Sequence, residues 1–161
     1  MTLSLKDAIT KLYKPPPDGM RQVLAVSRAV AEKLPRLPGV AVISVTAPGR
    51  PPASLDGFEH IVRLSFADVD FMSKDLSARA KKKLPDAFRP RDSEEILKFL
   101  AGLPEPVRTV VVHCEGGYSR SCAIALALHQ LHGYATELEL LTDANDSVLR
   151  TMLGEARSRA Q

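Results

Sequence analysis

Apolar residues fall in short blocks separated by polar, glycine- and proline-rich stretches, and the blocks differ in period. Residues 22–26 form a compact apolar run, and 39–45 a second one rich in β-branched residues, so both are predicted strands. Residues 59–66 alternate apolar and polar side chains, as a less buried strand does. Val110-Val111-Val112 is apolar throughout, the signature of a central strand covered on both faces. Helical signals lie between and after these runs. Ser27 is placed to cap a helix over 28–34, which Pro35 stops. Asp92, Ser93, Glu94 and Glu95 put acidic residues where a helix N-terminus favours them; that helix turns Ile96, Leu97, Phe99 and Leu100 inward and ends near Gly102. A mostly apolar helix is predicted over 119–132, stopping at Gly133, and a last one over 144–158 with Val148, Leu149, Met152 and Leu153 on its apolar face.

Strands alternating with helices predict an α/β domain with a mostly parallel sheet. A single domain spans 1–161, a size that supports a proper core. Two segments stand apart from the alternation. Residues 1–19 are an N-terminal extension, a short helical start followed by a turn at Pro15-Pro16-Pro17-Asp18-Gly19. Residues 72–91 are an irregular basic insertion on a surface loop, with Arg79, Lys81, Lys82 and Lys83 clustered.

Composition changes this picture little. At 45% hydrophobic and 25% charged residues the chain has ordinary globular usage. No apolar run approaches the ~20 residues of a membrane span, and the first residues lack a secretory layout, so no membrane association is expected. A net charge of +3 is too small to point to nucleic acid. Two cysteines make no disulfide framework, and the expected setting is the reducing cytoplasm. A monomer is expected. His60, His113, His129 and His132 lack metal-ligand spacing, so no metal and no cofactor are expected; His129 and His132 are read as surface residues.

The chemistry concentrates at His113-Cys114-Glu115-Gly116-Gly117-Tyr118-Ser119-Arg120-Ser121, between the central strand and the apolar helix. Gly116 and Gly117 let the loop curl so that backbone N–H groups converge at a helix N-terminus, forming an anion cradle from Glu115 to Arg120. Arg120 can grip two phosphate oxygens with its planar fork. Cys114 lies at the floor, where N–H dipoles and the guanidinium favour a thiolate, and Ser121 can donate to that sulfur as it departs. A nucleophile beneath a phosphate-sized anion hole reads as phosphoryl transfer through a cysteinyl-phosphate. Breaking a phosphate ester also calls for an acid to protonate the leaving group. Asp68 follows the third strand and leads the candidates; Asp70 and Asp86 stay open. Cys122 reads as a packing residue.

These residues resemble the His-Cys-x-x-Gly-x-x-Arg-Ser signature of the cysteine-dependent protein tyrosine phosphatases, most of all the dual-specificity branch and its small bacterial relatives. The likeness is strong over 109–128 and looser, in strand order and one acidic position, over 22–70. It implies a three-layer α/β/α fold around a mostly parallel sheet of four or five strands, a phosphoprotein or small phosphomonoester as substrate, and a supporting role for His113 in orienting the loop. It also implies a general acid at the strand exit occupied by Asp68, although 46 residues separate Asp68 from Cys114, more than is usual for the branch. Leu84-Pro85-Asp86 looks like the Trp-Pro-Asp loop of other members. Relatives acting on inositol phospholipids carry lysines in the cradle; here there are none and Glu115 is acidic, so monophosphorylated substrates are expected, phosphotyrosine ahead of phosphoserine and phosphothreonine. The rival reading is a phosphate- or phosphoprotein-binding pseudo-phosphatase that keeps the cradle and lacks a working acid.

Overall fold

The computed structural model describes residues 2–17 and 19–154. Its frame is a four-stranded sheet in the order β1-β4-β2-β3, with β1 Gln22–Ser27, β2 Val40–Thr46, β3 His60–Ser65 and β4 Thr109–Cys114. Every pairing is parallel, so the α/β class and strand count read from the sequence hold. All six residues of β4 are buried, between β1 and β2. β3 is an edge strand, which explains its alternating pattern.

Because side chains alternate across a strand, each strand feeds two cores. Val23, Ala25, Ile43, Val45, Val110 and Val112 face the side covered by α4 (Pro90–Ala101), α5 (Arg120–His132) and α6 (Asp146–Met152). Leu24, Val26, Val42 and Val111 face α1 (Leu5–Leu12) and α2 (Arg28–Lys33). Ser27 caps α2 as its sequence position suggests, accepting from the Val30 N–H at 3.2 Å. α5 is buried on nearly every side, so its sequence shows no amphipathic stripe.

Three expectations change. The N-terminal segment is no appendage: Leu3, Ala8 and Leu12 are core residues, and the Lys11 carbonyl accepts from Gln22 Nε2 at 2.8 Å. α4 starts at Pro90 rather than at the acidic run, because proline's fixed φ suits the first helical position and Asp92 Oδ2 accepts from the Arg89 N–H at 2.9 Å. The 72–91 insertion holds a four-residue helix α3 (Ala78–Lys81) and a 3-10 turn at Leu84–Asp86, and buries Phe88 edge-on against Phe66 at 4.7 Å between centroids. Part of it is therefore anchored in the core. α6 begins at Asp146 on an Asn145 cap; the predicted end of that helix at 155–158 lies outside the described residues.

Candidate active site

β4 delivers Cys114 to the carboxyl end of the sheet, where ligands of parallel sheets bind. The chain then turns through Glu115–Ser119 into α5. Gly117 makes this turn possible: its φ is +81°, and a Cβ there would lie 2.4 Å from the Ser27 N and 2.5 Å from the Val26 carbonyl carbon. The loop thus packs directly on the end of β1, and no other residue fits. A Cβ on Gly116 would meet the Tyr118 ring at 2.3 Å, so Tyr118 folds back over it, half exposed.

The Cys114 sulfur is buried between two polar partners. The Gly117 N–H donates to it at 3.3 Å, and the Ser121 hydroxyl sits 3.2 Å away. A cavity of about 90 Å³ opens over it, lined by Asp68 and by Cys114 through Arg120. Two larger clefts, about 200 and 310 Å³, share Arg21, His132 and Tyr134 near the start of β1. The reactive groups converge in the smaller space. Arg120 is only 6% exposed; Nη1 donates to the Phe66 carbonyl at 2.9 Å, while Nε is buried without a partner among the described residues. Arg120 also lines the cavity, so its guanidinium places a positive charge beside the Cys114 sulfur, where it favours a bound anion.

His113 is fully buried on the opposite face of β4. Its Nδ1 lies 3.2 Å from the Cys114 carbonyl, which can only accept, so Nδ1 carries the proton. Nε2 then accepts from the Ser44 hydroxyl at 2.6 Å, across the β2–β4 register. Burial first, and the nearby Arg28 charge after it, hold the His113 pKa below its usual value, so the ring is neutral. It fixes the Cys114 carbonyl.

That burial carries a pH signature. His113 binds a proton more readily unfolded than folded, so its contribution to stability is complete above the unfolded value of about 6.5 and is lost as pH falls through the lower folded value. Glu32 and Glu137 are held below the usual carboxylate range, by the Ser54 N–H and by Lys11 respectively, and act only at more acid pH. Denaturant unfolding is expected to show wild-type stability falling as pH drops below about 6.5, and His113→Gln losing that slope. An unchanged slope in the variant would assign it to another group.

Among the acids, Asp68 is at the cavity. Its Oδ1 accepts from Ser119 Oγ and Asn145 Nδ2, each at 2.9 Å, and Oδ2 carries no hydrogen bond among the described residues. Asp70 instead accepts from the Ser147 hydroxyl at the start of α6. Asp86 gives its carbonyl to the Ala67 N–H at 2.7 Å, its side chain is exposed, and it does not line the cavity. The likeness of Leu84-Pro85-Asp86 to an acid loop is thus not matched by position.

Sequence reasoning missed Asn145, Ser44 and Arg28. Asn145 joins three segments: its side chain also donates to the Val69 carbonyl at 3.2 Å and caps α6 by accepting from Val148 N, while its own N–H reaches the Ser119 carbonyl at 3.1 Å. Its place before an apolar helical run could have marked it as a cap, though not as a partner of Asp68. Arg28 and Arg50 both approach Glu115 Oε1, at 3.3 and 3.4 Å, so the acidic loop position is countered by two cations. Cys122 fits its packing role: burial, with the Cys114 sulfur nearby, pushes its pKa up to about 12, and its thiol donates weakly to the Gly117 and Leu140 carbonyls. His129 is half-buried rather than a surface residue, with Nδ1 donating to the Tyr134 carbonyl at 2.9 Å. Among the described residues no cluster of His, Cys, Asp or Glu could hold a metal ion, and no helix is long and apolar enough to cross a membrane.

No protein-family model matches the chain, and no curated protein does. Among solved structures, that of PTPMT1 in complex with PI(5)P is similar at 17% identity and a TM-score of 0.48, covering 87% of this chain and 95% of that one.

Proposed function

We infer that the protein hydrolyses phosphate monoesters on proteins, phosphotyrosine first and phosphoserine or phosphothreonine with it, by way of a phosphate ester of Cys114. The observation that carries this reading is the buried sulfur at 3.3 Å from the Gly117 N–H, on a cavity that Arg120 and Asp68 also line. The cavity's own guanidinium is one, suited to one phosphoryl group.

In the first step the Cys114 thiolate attacks phosphorus in line, an S–P bond forms and the ester P–O bond breaks. The cradle N–H groups and Arg120 hold the equatorial oxygens, where charge is spread in the transition state. Asp68, with Oδ1 occupied by Ser119 and Asn145, gives the leaving oxygen a proton from Oδ2. In the second step the Asp68 carboxylate takes a proton from water as that water attacks phosphorus. The S–P bond breaks, orthophosphate leaves, and the Ser121 hydroxyl donates to the returning thiolate.

Wild type is expected to hydrolyse para-nitrophenyl phosphate and Cys114→Ser to be inert while still binding phosphate. Iodoacetate should modify Cys114 with loss of activity, and vanadate should protect it. A wild type that binds phosphate with no turnover would instead make the chain a phosphate-binding module.

A further inference from the structure

Charge is distributed unevenly around the cavity. Residues 74–91 carry seven cationic side chains and two carboxylates, a formal +5 in a chain whose net charge is +3. Lys74, Arg79, Lys81, Lys82 and Lys83 are exposed, and none pairs with a carboxylate among the described residues. A solvated face of a long helix would explain such a run, but α3 has four residues and buries none of them.

The segment is also held in place. Phe88 is buried on Phe66, the Asp86 carbonyl accepts from Ala67 N at 2.7 Å, and the Lys83 carbonyl accepts from Asp86 N at 2.9 Å. Ala67 adjoins Asp68, which lines the cavity. The Ala67–Asp86 hydrogen bond thus ties the cationic run to the strand exit that carries Asp68. At low salt, where the screening length grows to ~30 Å, its field extends over the mouth.

We propose that the basic segment 74–91, fastened beside the cavity through Ala67–Asp86 and Phe66–Phe88, is a docking surface for acidic polypeptide flanking the phosphorylated residue of the substrate. The proposal deepens the phosphatase reading by naming its substrate class: phosphoproteins with clustered Asp or Glu near the phosphosite. Clustered like charges raise the local concentration of an oppositely charged partner and speed its encounter. An anionic bilayer fits the surface less well: a four-residue helix and one exposed leucine, Leu84, offer little apolar area to insert. Single-stranded nucleic acid would want exposed aromatic platforms, and Phe88 is buried.

The test compares two fluorescent phosphotyrosyl peptides, one flanked by four glutamates and one by four glutamines. Binding is measured by anisotropy on Cys114→Ser protein, so that it is read whether or not the chain turns over substrate. The acidic peptide is expected to bind at least ~10-fold tighter at low salt, with the preference gone near 0.5 M salt. Replacing Arg79, Lys81, Lys82 and Lys83 together by Gln should remove the preference and leave kcat on para-nitrophenyl phosphate unchanged. Equal binding of the two peptides, or a preference that survives the fourfold replacement, overturns the proposal. So does loss of binding to phosphatidylserine vesicles in that variant without any peptide preference, which would assign the surface to membranes. A failed phosphatase reading shows separately, as no hydrolysis of para-nitrophenyl phosphate by wild type.

Discussion

Asp68→Asn should slow the first step, transfer of the phosphoryl group to Cys114, by ~100- to 10,000-fold on aryl phosphates with poor leaving groups, and far less where the departing oxygen needs no proton, so that with the latter the second step limits turnover. The substitution is nearly isosteric, and an amide oxygen can still accept from Ser119 and Asn145, so the fold and the cradle should persist. Alkylation of Cys114 should proceed as in wild type, because the sulfur's own contacts are with Gly117 and Ser121. Two controls sharpen the result. Asp70 is committed to Ser147, so Asp70→Asn should loosen the start of α6 and act on stability rather than on leaving-group dependence. Asp86 is exposed and away from the cavity, so Asp86→Asn should be close to neutral. Leaving-group dependence in Asp86→Asn and none in Asp68→Asn would mean that the 3-10 turn at Leu84–Asp86 moves over the site.

Arg120→Lys should cost at least ~100-fold in turnover, on the scale of removing one oxyanion donor. Lysine keeps the charge and loses the fork. Its single nitrogen cannot both hold the Phe66 carbonyl and present a planar pair of donors to the equatorial oxygens. Phosphate protection of Cys114 should weaken in parallel, measured as the phosphate concentration that halves the alkylation rate. A fully active Arg120→Lys would place the guanidinium outside the reacting geometry.

What could be read from the chain, and what could not, follows from the range of the forces involved. The cradle is local: a strand exit, two glycines, an arginine and a helix start fall within nine residues, so 113–121 are legible as a unit. The buried strands are legible because their apolar runs differ in period from the helices around them. Long-range contacts leave no such trace. Asp68 is singled out from Asp70 and Asp86 by Ser119 and Asn145, which lie 51 and 77 residues away in sequence. Glu115 reads as an acidic, unopposed position until Arg28 and Arg50 arrive from the segments after β1 and β2. Phe88 sits in a stretch whose lysines and prolines hide one buried ring, and only its packing on Phe66 shows that the insertion is fastened beside the site.

The central claim is a covalent phosphoryl group on Cys114, and trapping it is the most direct test. Asp68→Asn protein, given an aryl phosphate whose leaving group needs no proton, should pass the first step and stall at the second, where the missing carboxylate would have activated water. Acid quenching during turnover, followed by peptide mapping at low pH, should then find one phosphoryl group per chain on the peptide containing Cys114, displaced from any position on Cys122. Hydrolysis that continues with no phosphorylated Cys114 under these conditions would contradict the mechanism and leave direct attack of water on the bound phosphate in its place.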